Sequence, residues 1–358
     1  MSPTSDAFHL IVPGPLDQRT GGYIYDARIV SELAEARVPV AVHSIEGRFP
    51  DVDDLAHEAL NELLAGLADG ETVVVDGLAA GGLPEVIAAH APRLSMVALV
   101  HHPLADETGQ SPEQVERFFA SERETLRHVR GVIVTSPFTA RRLADFDVGE
   151  DRVRVVQPGT DPAPLAEGPS AVDPPRLVCV ASLSPRKGHN LLVAALDRLR
   201  DLEWSCVCAG STARDAVYAD QVRAEVERRN LRDRIEFVGE LEIGELEEVY
   251  RTASLFVLPS HYEGYGMAYA EALARGIPVV GTTGGAIPDT VPGFASVLVP
   301  PGDVDALVSA LEGLLVAPER RNILAEGARM HREALPDWGE QAIRFRDAVT
   351  DLTCASYE

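Results

Sequence analysis

The chain has 358 residues, 46% of them apolar and 25% charged, a globular composition with enough apolar material for two cores. Its formal net charge is -24, and residues 1–165 alone carry 13 Arg, no Lys and 26 Asp or Glu. So acidic a surface repels phosphate backbones and anionic headgroups, which argues against nucleic acid and against an electrostatically held membrane as partners.

In chain order, the first half alternates apolar runs with amphipathic stretches. A strand is predicted at 8–12, then Gly21-Gly22 and a helix at 24–36, a strand at 38–44 and a helix at 51–68. Next come a strand at 72–76, a helix at 83–90, a strand at 96–101 ending on His101-His102-Pro103, and a helix at 112–128. A strand at 131–135, a helix at 137–146 and a strand at 153–157 complete the series. Residues 158–175 are rich in Pro, Gly and Ala without periodicity, which marks a domain boundary. A second series follows, with strands at 177–182, 204–210, 235–239, 255–259, 279–281 and 296–299. Its helices are predicted at 190–199, 216–229, 245–252, 268–275 and 303–315, and a last helix at 339–352. Strands alternating with helices at this spacing imply an α/β class with mainly parallel sheets. The expected domains are 1–165, 166–337, and a C-terminal helical segment, 338–358, returning to the first. Ligands of such sheets bind outside the carboxyl ends of the strands, so the cleft between two such domains is where a site is expected.

No apolar run approaches the ~20 residues that span a bilayer, and the N-terminus lacks a basic stretch followed by an apolar one, so a cytoplasmic location is expected. The four cysteines lack zinc-site spacing. They read as free, buried thiols, with Cys206 and Cys208 on one face of a strand. Asp51-Val52-Asp53 has an Asp-x-Asp spacing, but it precedes a helix, where capping explains it better than metal binding.

The most informative stretch runs Leu258-Pro-Ser-His-Tyr-Glu263-Gly-Tyr-Gly-Met-Ala-Tyr-Ala-Glu271. It follows a buried strand and opens a helix. Gly264 and Gly266 keep the turn beside Tyr265 narrow, and the first-turn N–H groups at Met267 and Ala268 then form an anion site through unpaired donors and the helix dipole. Glu271, one turn further in, can accept from two vicinal hydroxyls, as on a ribose. Glu263, on the loop, can reach hydroxyls beyond the anion. Two carboxylates flanking a phosphate site outline a sugar nucleotide.

With these residues the chain resembles the retaining glycosyltransferases of the GT-B class, family 4, whose mark is Glu-x7-Glu. Gly21-Gly22, His102, Pro158-Gly159-Thr160-Asp161, the loop 181–188, Gly284-Gly285-Ala286-Ile287-Pro288-Asp289 and Trp338 also match family segments. The resemblance covers nearly the whole chain. It implies two Rossmann-like domains, a nucleoside diphosphate sugar (UDP by family frequency) as donor, no cofactor and no metal. It places His102 near the anomeric centre, and the amide of Gly22 with Lys187, the sole lysine, at the diphosphate. Lys187 would stabilise the leaving group as charge develops. The family's arginine in the 181–188 loop is replaced by Ser182, and Arg186 stands where it can supply the charge. Gly210 lines the expected nucleotide pocket. His102, Glu263 and Lys187 are the expected catalytic groups. The acceptor and the oligomeric state are not legible. A nucleotide-sugar 2-epimerase and a non-catalytic binding protein on the same architecture are the alternatives.

Overall fold

The computed structural model describes residues 7–170 and 173–354. The chain divides into two compact units, 1–159 with 336–358, and 160–335. The division falls six residues before the expected boundary because the linker belongs to the second unit. Ala166 and Glu167 donate their backbone N–H groups to the carbonyls of Arg275 and Arg251.

Unit 1 holds six strands: β1 (Phe8–Pro13), β2 (Val40–Ile45), β3 (Thr72–Asp76), β4 (Ser95–Val100), β5 (Gly131–Val134) and β6 (Val153–Val155). All pair in parallel, in the order β2-β1-β3-β4-β5-β6. The chain builds outward from β1 in one direction and from β3 in the other, so the switch point lies between β1 and β3. The helices Gly21–Glu35, Asp54–Gly66, Pro84–His90 and Pro112–His128 cover the sheet. β3, β4 and β5 are buried almost throughout, as strands covered on both faces must be. Asp53 caps the helix Asp54–Gly66, its carboxylate accepting from Ala56 N–H at 3.0 Å, so the capping explanation for this aspartate holds. Asp51 pairs with Arg117.

The final helix, Trp338–Cys354, packs on unit 1. Glycines make room for it. A Cβ on Gly159 would overlap Trp338, and one on Gly131 would overlap the Leu352 side chain. The Pro158-Gly159 segment thus serves packing.

Unit 2 repeats the plan with β7 (Arg176–Val180), β8 (Ser205–Ala209), β9 (Ile235–Gly239), β10 (Leu255–Val257), β11 (Val279–Thr282) and β12 (Ser296–Val299). Their order is β12-β11-β10-β7-β8-β9, again all parallel, with the switch point between β7 and β10. Two α-helices of this unit had no counterpart in the sequence reading, Ile287–Thr290 and Pro318–His331. The second buries only Gly327 and Ala328 and leaves Ile323 and Met330 exposed, so it shows no apolar stripe. Cys179, Cys206 and Cys208 are buried free thiols as expected, whereas Cys354 is exposed, because it ends the C-terminal helix.

Candidate active site

In unit 2 the expected donor residues gather at the switch point. The loop after β7 and the loop after β10 are tied together: His261 N–H donates to the Arg186 carbonyl at 2.7 Å. Gly188, at φ +68°, ends the first loop where a side chain would overlap the Pro259 carbonyl. This close approach brings Lys187 to Glu263. The ammonium donates to Glu263 Oε1 at 2.6 Å, Ser260 Oγ donates to the same oxygen at 2.6 Å, and Arg186 donates to Oε2 at 3.3 Å and to the Tyr262 carbonyl at 3.1 Å. Glu263 is buried. Burial would raise its pKa, but Lys187 and Arg186 override that and hold it below the usual carboxylate range. Lys187 is lowered, by burial first and by Arg186, against the opposing pull of Glu263. Two cations thus converge on the Glu263 carboxylate, where an anion can compete for them.

The helix Met267–Ala274 begins beside this cluster. Its N-cap, Gly266, sits at φ +94° and offers no side chain, so the first-turn N–H groups at Met267 and Ala268 are not capped from within. Gly264 is half-buried, and Tyr265 is buried with its carbonyl accepting from Thr290 Oγ at 2.6 Å.

Glu271, four residues into that helix, accepts from Tyr250 O–H at 2.8 Å. Burial raises its pKa, while Tyr250 and Arg275 pull the other way. Arg275 lies 4.4 Å from the Tyr250 ring centroid and donates to the Glu271 carbonyl. Tyr250 and Arg275 were not singled out from sequence, since a buried Tyr and a helix-end Arg are ordinary. Ser182 and Gly210 adjoin the loop: Gly210, at φ +150°, packs so closely on Ala181 that a Cβ would overlap its carbonyl. The Gly284–Asp289 segment braces the glutamate loop from behind. Ala286 N–H donates to the Glu263 carbonyl at 2.8 Å, and a Cβ on Gly284 or Gly285 would strike the His261 or Glu263 carbonyl. These glycines are there for close backbone contact.

In unit 1, Gly22 lies in the first turn of the helix Gly21–Glu35, where a Cβ would sit 3.0 Å from the His101 ring. β4 ends at Val100, and both histidines follow it. His102 faces Glu107, 3.3 Å from its carboxylate. His101 is the more enclosed, flanked by Asp26 and Asp76 at 3.2 Å each. Burial would lower His101, but the two carboxylates push it up to about 10, and burial raises Asp26 to about 6.

Sequence models of two families match side by side. "Glycosyltransferase Family 4" covers residues 28–164 and "Glycosyl transferases group 1" covers 165–331. The chain belongs to the GT-B glycosyltransferases. A sulfoquinovosyl transferase from Arabidopsis thaliana is 30% identical over 48% of this chain and 32% of its own length. A D-inositol 3-phosphate glycosyltransferase from Saccharomonospora viridis is 28% identical over 76% of this chain and 64% of its own. The chain thus spans less than two thirds of the length of these relatives. A GDP-mannose-dependent phosphatidylinositol monomannoside mannosyltransferase from Mycolicibacterium smegmatis is 29% identical over 77% and 74%. Among solved structures, sucrose-phosphate synthase from Thermosynechococcus elongatus superposes with a TM-score of 0.81 at 22% identity, covering 98% of this chain and 100% of its own. Anabaena HepE in complex with UDP-glucose gives 0.75 at 15%, covering 96% and 99%. Both likenesses concern the GT-B fold. Among the described residues of this glycosyltransferase, no helix is long and apolar enough to cross a membrane.

Proposed function

We propose that this glycosyltransferase moves a sugar from a nucleoside diphosphate donor to an acceptor hydroxyl or amine, with retention at the anomeric carbon. The observation that carries the reading is the cluster of Lys187, Arg186 and Glu263 beside the uncapped start of the helix Met267–Ala274. Its two cations and the first-turn amides of that helix suit a diphosphate. Lys187 and Arg186 stabilise the leaving diphosphate as its charge grows, and the amides at Met267 and Ala268 hold its oxygens.

Glu271, oriented by Tyr250, accepts from the ribose hydroxyls, and Glu263 accepts from the transferred sugar. When the diphosphate draws Lys187 and Arg186 toward itself, Glu263 loses its cationic partners, keeps Ser260, and becomes available to sugar hydroxyls. The donor is a UDP-sugar, supported by the UDP-glucose bound in the similar HepE fold. The GDP-mannose in the name of the Mycolicibacterium relative makes GDP the second base to test. Transfer itself draws on these side chains and amides and needs no metal at the diphosphate.

The test is nucleoside diphosphate release from UDP- and GDP-sugars in the presence of an acceptor pool, with the product's anomeric configuration read by NMR. Acceptor-dependent release with a retained anomer supports the reading. An inverted anomer refutes retention, and scrambling at C2 without acceptor points to the epimerase.

A further inference from the structure

In unit 1 three side chains from three elements converge on one point. Asp26 comes from the second turn of the helix Gly21–Glu35, Asp76 from the carboxyl end of β3, and His101 from the turn after β4. His101 Nε2 lies 3.2 Å from Asp26 Oδ1 and 3.2 Å from Asp76 Oδ2, and each of the three residues offers one ligand atom within 4.8 Å of the other two. The place is the switch point of this sheet, between β1 and β3.

Asp26 is only 1% exposed, and its Oδ1 has no hydrogen-bond partner. His101 Nε2 is equally buried and makes no well-aligned hydrogen bond, although a carboxylate oxygen of Asp26 and one of Asp76 each lie 3.2 Å from it. An unsatisfied carboxylate oxygen held out of water is costly, and two carboxylates side by side more so. Protonated His101 supplies positive charge here but no well-aligned hydrogen bond; a metal ion, less directional than an N–H, would satisfy all three groups from the point at which they aim, displacing the imidazole proton as it binds.

We propose that Asp26, Asp76 and His101 bind one divalent transition-metal ion of the zinc class. An ion ~2.1 Å from each ligand would see atoms 3.2 Å apart at an angle of about 100°, between the octahedral and tetrahedral values. One imidazole with two carboxylates suits zinc, manganese or cobalt, while magnesium and calcium prefer oxygen alone. The other Asp76 oxygen, Oδ1, is already oriented by Leu78 N–H at 2.7 Å, as supporting hydrogen bonds orient metal ligands. Gly22 leaves space against the ring, and the His101 side chain keeps 19% exposure, enough for a route in and for further water ligands. The ion would fasten the start of the first helix to the ends of β3 and β4. The site uses none of Lys187, Arg186, Glu263 and Glu271, so it stands or falls apart from the donor reading.

The test is calorimetric titration of metal-stripped, full-length protein with Zn²⁺, Co²⁺ and Mg²⁺, in a Cys354→Ser background so that the exposed thiol cannot contribute. The expected result is one Zn²⁺ or Co²⁺ per chain at micromolar affinity or tighter, a raised unfolding temperature, and weakening by about 100-fold in Asp26→Asn. Lys187→Ala should bind the ion as the parent does. If Asp26→Asn does not fold, the visible spectrum of the parent's Co²⁺ complex decides. A spectrum of nitrogen and oxygen ligands supports the site, and a thiolate charge-transfer band overturns it. Absence of saturable uptake at millimolar metal, parental affinity in Asp26→Asn, or equal affinity for Mg²⁺ would each overturn it too.

Discussion

Removing Lys187 tests the electrostatics of the donor cluster without any ligand. The Lys187–Glu263 pair is 2.6 Å long, and the two side chains are 16% and 7% exposed. At an effective dielectric near 20, the gross attraction is about 6 kcal/mol, most of it offset by desolvation. Losing one partner of such a pair costs roughly 3 kcal/mol, because the other charge stays buried. Arg186 at 3.3 Å and Ser260 at 2.6 Å remain with Glu263, so Lys187→Met should fall at or below that figure. Glu263→Gln leaves two cations facing each other and should cost at least as much. The double variant should cost less than the sum of the two, with a coupling of about 2 kcal/mol. Trp204 is a buried reporter within unit 2, so urea titrations in a Trp338→Phe background follow that unit. The carboxylate's pKa is depressed in the fold, so its stabilisation is present above the ordinary carboxylate pKa and is lost as pH falls through the lower, folded value. Repeating the cycle at acid pH should therefore shrink the coupling. Additive costs, within about 0.5 kcal/mol at neutral pH, would refute the pairing.

Three further outcomes follow from particular contacts. Gly188→Ala should lower unit 2 stability by about 2 kcal/mol or more, read in the same urea assay, since the residue sits at φ +68° against the Pro259 carbonyl. Tyr250→Phe removes the hydrogen bond from Tyr250 O–H to the Glu271 carboxylate and should weaken donor binding about 10-fold by calorimetry, with little change in the fold. Glu122, buried and accepting from Leu104 and Ala105 N–H, is raised to about 7, chiefly by burial. Its native state holds a proton that the unfolded chain releases, so unit 1 should lose stability as pH rises from ~4.5 to ~7. Glu122→Gln should flatten that slope in urea titrations between those values.

The alternation of strands and helices was legible because buried parallel strands are continuous apolar runs, as at 72–76 and 96–100, and the helices between them carry apolar stripes. The helix Pro318–His331 was not, since it buries glycine and alanine and shows no stripe. Within the donor region, the Glu263 and Glu271 spacing stood out because glycines, a strand and a helix start framed it. Sequence could not show that Glu263 is held by Lys187, since the contact crosses from the loop after β7 to the loop after β10. The Gly284-Gly285 pair read as part of a family segment, but its physical work is to pass behind Glu263. The family resemblance pointed to His102, and nothing in the sequence tied His101 to Asp26 and Asp76, 75 and 25 residues before it, which only the sheet brings together.

The central claim is that unit 2 binds a nucleoside diphosphate sugar through Lys187 and Glu271. Calorimetry with a panel of UDP-, GDP- and ADP-sugars, on the parent beside Lys187→Ala and Glu271→Ala, tests it directly. The account predicts saturable binding of one nucleotide class, weakened by both substitutions. Absence of binding by any nucleotide sugar at millimolar concentration, or binding that both variants retain in full, would contradict it.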